Sequence, residues 1–152
     1  MKRNVTVIID ENADEEVVIR CRALTPEIEY IKNAAESGRA PGEITLELQG
    51  REYFTPLSDI LFFESASDKT AAHTAAKMLY TDKTLRELEE TLPGYFARVS
   101  KSCLLNVRRV SSMKRSVSGV CEVWLDGDAK KVYVSRMYYK TFREKLTELR
   151  LK

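Results

Sequence analysis

The chain has 152 residues, enough for one ordinary domain with a short extension and too few for two full domains. No run of about 18 uncharged apolar residues occurs, and Met1-Lys2-Arg3-Asn4-Val5 leads into acidic, alternating sequence unlike a signal peptide; a soluble cytoplasmic protein is expected. The net charge of +2 conceals an asymmetry: residues 1–95 hold 11 Lys+Arg against 18 Asp+Glu, a net of −7, whereas residues 96–152 hold 14 against 5, a net of +9, which suggests a polyanionic partner for the C-terminal third.

Val5, Val7 and Ile9 alternate with Thr6 and Ile8, and after the acidic interruption Asp10-Glu11-Asn12-Ala13-Asp14 the run Val17-Val18-Ile19 resumes, so two strands are predicted, over Val5 to Ile9 and Val17 to Arg20. Thr25-Pro26-Glu27 predicts a helix start, with Ile28, Ile31 and Ala35 on one face and Gly38 as its stop. The composition of Ser37-Gly38-Arg39-Ala40-Pro41-Gly42 predicts a linker, dividing a strand-strand-helix extension (1–42) from a main domain (43–152). Ile44, Leu46 and Leu48 alternate up to Gln49-Gly50, and Tyr53-Phe54 begin a returning strand. Ile60-Leu61-Phe62-Phe63 suits a buried strand, Lys69 to Thr74 and Ala76 to Tyr80 a second hairpin, and Thr84 with Glu87 a capping box before Leu85, Leu88 and Leu92. Pro93-Gly94 stops that helix, and strands are predicted at Phe96 to Val99, Val107 to Ser112, Val120 to Leu125 and Lys131 to Val134, with a turn at Asp126-Gly127-Asp128. Tyr139, Phe142, Leu146 and Leu149 place one apolar face on a closing helix.

Catalytic chemistry finds little support. The sole histidine, His73, stands among Ala71, Ala72, Thr74 and Ala75 with no catalytic company, and reads as structural. No nucleophile elbow or phosphate-cradling glycine loop occurs, and Glu89-Glu90 are adjacent and diverge on a helix. Cys21, Cys103 and Cys121 lack any Cys-x-x-Cys pairing and are expected to be buried free thiols. No catalytic residue, metal or cofactor is expected, and the chain is read as a non-enzyme. The segment from Phe96 to Val110 instead interleaves cations, hydroxyls and apolar anchors, a mixture that suits a loop facing nucleic acid, with Arg98, Lys101, Ser102, Arg108 and Arg109 able to reach phosphates or base edges.

Four stretches then occur in order: Ile60-Leu61-Phe62-Phe63-Glu64-Ser65; Thr84-Leu85-x-x-Leu88-Glu89 through Leu92-Pro93; Phe96-x-Arg98-Val99-Ser100-Lys101-Ser102 through Leu105-Asn106; and Val134-Ser135-Arg136-x-Tyr138. Together they resemble the LytTR-type DNA-binding domain, the effector module of the LytR/AlgR family of bacterial transcription regulators, from about Glu43 to the C-terminus. The resemblance implies a mainly β fold with short helices, an elongated arrangement of sheets whose loops enter successive DNA grooves without a recognition helix. It implies contact loops at Asp68-Lys69-Thr70, at Arg98 to Ser102 with Lys101 at the tip, and at Ser135-Arg136. Some family members carry His and Asn at the first two contact positions, where this chain has Thr70 and Lys101. Arg136 is the leading candidate for bidentate base reading, worth roughly 1–3 kcal/mol of discrimination, and Lys69 and Lys101 for phosphate clamps or single-bond base contacts. Arg108 and Arg109, with Lys114 and Arg115, are expected as peripheral phosphate contacts or solvated side chains.

The resemblance further implies double-stranded DNA with paired repeat sites and two bound protomers, a homodimer, while residues 1–42 are left for dimerisation or a regulatory protein partner. With about 42 residues before the match, a stand-alone form lacking a receiver domain is expected. The competing reading is an accessory protein that keeps the fold but modulates another regulator through protein contacts.

Overall fold

The computed structural model describes residues 3–37 and 42–150. After helix α1 (Pro26–Ser37) come strands β1 (Glu43–Leu48), β2 (Arg51–Pro56), β3 (Ile60–Ala66), β4 (Lys69–Thr74) and β5 (Met78–Thr81), then helix α2 (Leu85–Thr91). Strands β6 (Phe96–Ser100), β7 (Cys103–Asn106), β8 (Val110–Arg115), β9 (Cys121–Leu125) and β10 (Lys130–Val134) follow, and helix α3 (Arg136–Arg150) closes the chain. The strands form a seven-stranded antiparallel sheet ordered β2-β1-β5-β4-β3-β7-β6 and a three-stranded one ordered β10-β9-β8. The fold is thus mostly β with three short helices, as the sequence led one to expect, and none of the described helices is long and apolar enough to cross a membrane.

Local chemistry explains most of these elements. Leu48 pairs with Arg51 across a two-residue loop in which Gln49 and Gly50 both have positive φ, 52° and 75°, the primed turn whose twist matches the flanking strands. Thr84 accepts from the Glu87 amide while the Glu87 carboxylate accepts from the Thr84 amide, so the capping box starts α2 as predicted. In β3 a bulge between Ile60 and Phe62 adds a residue to one strand, so the neighbours Leu61 and Phe62 face the same side of the sheet. Ile60 and Phe63 face the other.

Two cores result, one on each face of the large sheet. Ile60, Phe63, Leu79 and Leu104 pack against Leu85, Leu88 and Leu92 of the α2 region, with Tyr30 of α1 at the margin. Leu61, Phe62, Val99 and Leu105 pack against Val123, Val132 and Val134 of the small sheet and Phe142 and Leu146 of α3. Asn106 lies between them and is fully buried; its side-chain amide donates to the Ile60 carbonyl at 2.9 Å and accepts from the Arg108 amide at 3.1 Å. Both halves of the amide are therefore used where no water reaches.

Several expectations need correction. Val5 to Ile9 and Val17 to Arg20 are not strands; they run without regular structure, because a lone two-stranded ribbon with no sheet to cover it has little to stabilise it. Residues 103–106, read as loop anchors, form β7, and Val107 to Arg109 form a 3-10 turn, with the strand beginning at Val110. Cys103 and Cys121 are buried thiols, but Cys21 is exposed with the irregular segment around it. Ile28 is buried on α1, whereas Ile31 is exposed. The helix stop at Gly38 lies outside the described residues, as does most of the linker predicted over Ser37 to Gly42.

His73 is structural. Its ring stacks on Phe62 with centroids 4.1 Å apart, Nε2 lies 2.6 Å from the Glu64 carboxylate, and the Lys130 ammonium lies 3.0 Å from Nδ1. Lysine can only donate, so Nδ1 accepts and Nε2–H donates to Glu64, which fixes the neutral tautomer. Burial, reinforced by Lys130 and opposed by Glu64, holds the ring below its ordinary value of 6.5.

Two predictions follow from the packing. Asn106→Ala strands the Ile60 carbonyl and the Arg108 amide and should cost about 2 kcal/mol, read as a fall of roughly 1 M in the urea midpoint; an unchanged midpoint would contradict the bridging role. Because the unfolded ring protonates before the folded one, stability should be full above pH 6.5 and fall as pH drops below it towards the depressed folded value. With His73 the sole histidine, His73→Gln should flatten the stability profile between about pH 6.5 and 5, where no other unperturbed side chain titrates.

Candidate nucleic-acid interface

Strand register decides which of the basic turns meet. Ala66 pairs with Lys69 across the β3–β4 turn, and Glu64 pairs with Cys103, so that turn lies beside the β6–β7 turn carrying Lys101. The Ser65 amide donates to the Ser102 carbonyl at 3.0 Å and fastens the two together. Thr70 pairs with Thr81, which brings Asp82 and Lys83 to the same end. From the small sheet, Arg115 pairs with Cys121 and Cys121 with Val134, so the β8–β9 turn and the start of α3 share an end. The Ser135 amide donates to the Val99 carbonyl at 2.9 Å and joins that end to β6 just before Lys101.

Lys69, Lys83, Lys101, Lys114, Arg115 and Arg136 thus gather at one end, against the two carboxylates Asp68 and Asp82 of the same turns. This is the Lys101 end of the molecule. Lys69 lies 4.0 Å from Asp82, a loose pair that leaves its side chain 41% exposed. Arg115 stacks on the Tyr139 ring at 4.2 Å. The Lys83, Lys101 and Arg136 side chains are exposed and have no hydrogen-bond or ion-pair partner among the described residues. Arg136 is the first residue of α3, where unpaired backbone amides already favour an anion, and no acidic residue stands in that first turn. Gly119 packs close to its stem: a Cβ there would lie 2.9 Å from the Arg136 Cδ, so a larger residue would push the side chain aside, and the φ of +88° at this position also favours glycine.

Other expected contact residues have different positions. Thr70 is 4% exposed, and its hydroxyl donates to the Lys83 carbonyl at 2.7 Å, which holds the β5–α2 connection and leaves nothing to offer a ligand. Arg98 is 20% exposed in its side chain; it donates to the Ser100 and Lys101 carbonyls and pairs with Glu89 at 3.0 Å. It shapes the β6–β7 turn from behind. Ser102 sits in that turn with its amide on the Ser100 hydroxyl, and Ser135 is half-buried with its amide on Val99. Arg108 and Arg109 follow β7 to the opposite end, where Arg108 stacks on Tyr95 at 4.1 Å and Arg109 bonds the Ser58 carbonyl at 2.6 Å and Asp126 at 3.0 Å. Both therefore lie at the opposite end from Lys101 and are engaged there by protein groups. Lys83 was missed in the sequence because nothing local marks it; the pairing of β5 with β4 is what brings it there.

The LytTr DNA-binding domain family matches residues 50–147. A protein of Staphylococcus aureus strain NCTC 8325, described as an uncharacterized HTH-type transcriptional regulator, is 24% identical over 147 residues, covering 97% of this chain and 99% of its own. A second, from strain MSSA476 and described in the same words, is 31% identical over 91 residues, or 60% and 61% of the two chains. Among solved structures, the LytTr DNA-binding domain of a Bacillus cereus protein described as a methyl-accepting/DNA response regulator superposes with a TM-score of 0.65 at 23% identity, covering 70% of this chain and 98% of that one. The relatives' description notwithstanding, this chain has five strands between α1 and α2 and five more between α2 and α3, so no two of its described helices are joined by the short turn of a helix-turn-helix.

The three bonds from Arg98 generate a prediction about the turn. Arg98→Gln should release the Ser100 and Lys101 carbonyls and speed amide exchange at Lys101 and Ser102 by roughly tenfold or more, since each charge-assisted bond contributes about 1.5–3 kcal/mol. Exchange at wild-type rates would show that the turn holds its shape without Arg98.

Proposed function

This chain belongs to the LytTr DNA-binding domain family, and from that premise we propose that it is a transcription regulator that reads double-stranded DNA through the turns of the Lys101 end. The observation that carries the proposal is the contrast between the two ends of the sheets. At the far end the arginines are engaged by a ring, a carbonyl and a carboxylate; at the Lys101 end Lys83, Lys101 and Arg136 stand exposed with no hydrogen-bond or ion-pair partner among the described residues. Unpaired, convergent cations are what a phosphate backbone requires, because each one that neutralises a phosphate releases a counterion. Arg136, with its planar fork and a stem that passes close to Gly119, suits the edge of a guanine, while Lys69, Lys83 and Lys101 act as point charges on phosphates. Ser102 and Ser135 contribute hydroxyls within the same turns. Specificity then arises from turns laid into grooves, with paired DNA repeats occupied by two protomers.

The proposal is tested by mobility-shift titration against the DNA upstream of the chain's own gene. Arg136→Ala should weaken specific binding about tenfold or more and relax sequence preference, whereas Lys101→Ala should weaken all sequences alike and lower the salt slope by about 0.9. Arg108→Ala at the far end should leave affinity unchanged. Absence of binding at low salt by the folded protein would refute the proposal and favour an accessory protein acting through protein contacts.

A further inference from the structure

The segment before α1 is built for contact, though the chain itself does not supply it. Among the described residues thirteen large apolar side chains are exposed, and seven of them fall between Val5 and Leu24. Val5, Val7, Ile8 and Ile9 are 80–89% exposed, and Val17 and Val18 are 65–70% exposed. The chain reverses between these runs at a turn in which the Ala13 amide donates to the Asp10 carbonyl at 3.2 Å and the Asn12 amide to the Asp10 carboxylate at 3.0 Å. Neither run has sheet hydrogen bonds. Between the two arms and α1 lies an open groove of about 960 Å³ whose walls include Ile8, Ile9, Val17, Ile19 and Ala35. Apolar side chains in solvent, backbone without sheet partners and an open groove describe one side of a contact.

Charge identifies the other half. The tip of the segment carries Asp10, Glu11, Asp14, Glu15 and Glu16, and its base carries the exposed Arg20 and Arg22. Such a ribbon, acidic at one end and basic at the other, complements an inverted copy of itself. We infer that residues 3–22 form the interface with a second copy of this chain, packed antiparallel about a twofold axis, each acidic tip against the other copy's Arg20 and Arg22. A twofold contact uses the same patch on both partners; the antiparallel arrangement sets opposite charges together, whereas a parallel one would set acidic tip on acidic tip. The six exposed apolar side chains within residues 3–22, at about 100 Å² each, together with the charged residues at tip and base come close to the roughly 800 Å² per partner of a standard stable interface. The inference concerns a surface remote from the Lys101 end in sequence and stands whether or not DNA is bound there.

Sedimentation velocity on the full chain without DNA tests it. A dimer is expected in the micromolar range, and Val7→Glu, which buries an unpaired charge in the apolar contact, should weaken it about a hundredfold. The double variants Arg20→Glu/Arg22→Glu and Glu15→Arg/Glu16→Arg should each weaken self-association roughly tenfold, yet mixed together they should form a heterodimer tighter than either variant's own dimer, since one tip-to-base contact is then unaltered and in the other the new arginines face the new glutamates. The three variants alter residues outside both cores, so the cooperative melting of the sheets provides a folding control; should Val7→Glu fail it, the charge pair still decides. A monomer throughout the range, or a dimer indifferent to all three variants, overturns the inference. Failure of DNA binding with an intact dimer would count against the proposed function alone.

Discussion

The two sheets share an apolar core, and at the Lys101 end their register is fixed by a backbone hydrogen bond from the Ser135 amide to the Val99 carbonyl. Strand β6 is an edge of the large sheet, and an edge strand has carbonyls and amides with no neighbouring strand to satisfy them. Ser135, the residue between β10 and α3, takes the carbonyl of Val99 just before β6 turns into Lys101. Val99 and Val134 flank this bond and are both fully buried, so it cannot slip by a residue without turning apolar side chains out of the core. Arg136 is consequently held in a fixed relation to Lys101 although 35 positions separate them in the chain.

The same economy governs the layers. Strands β3 and β7 are covered on both faces, which demands near-continuous apolar sequence, and Ile60 to Phe63 and Cys103 to Leu105 supply it. Register shifts at Ile60/Phe62, Arg98/Ser100 and Val110/Ser112 bend the strands where the layers must diverge. The one in β6 matters most for the surface, because it falls in the residues leading into the β6–β7 turn, and the Arg98 side chain, bonded to the Ser100 and Lys101 carbonyls, holds that distortion in place.

Features whose cause is local were legible in the sequence. The Gln49-Gly50 turn, the Thr84–Glu87 box and the Phe142–Leu146 stripe each depend on residues within one turn or one helix of each other. Features whose cause is pairing were not. Strand β7 is four residues long, buried throughout and without alternation, so by pattern it looks like the apolar anchors of a loop. Thr70 looks like a polar residue at a turn, and only its placement opposite Thr81 turns the hydroxyl inward to the Lys83 carbonyl. The runs at Val5 and Val17 have the alternation of strands, but within a single chain alternation has nothing to pair with.

Composition likewise located the basic third of the chain without resolving what its cations do. Arg98, Lys101, Arg108 and Arg109 lie within twelve residues and differ little in sequence context. Strand β7 runs between the second and third of them for about 13 Å at 3.3 Å per residue, which sends Lys101 and Arg108 to opposite ends of the sheet. Arg98, one strand earlier, points its guanidinium at the carbonyls of the turn. Four neighbouring cations therefore do three kinds of work: bracing a turn, stacking or pairing at the far end, and standing unpaired in solvent. Charge density attracts a polyanion to this part of the molecule, but the direction of one short strand decides which of these side chains can touch it.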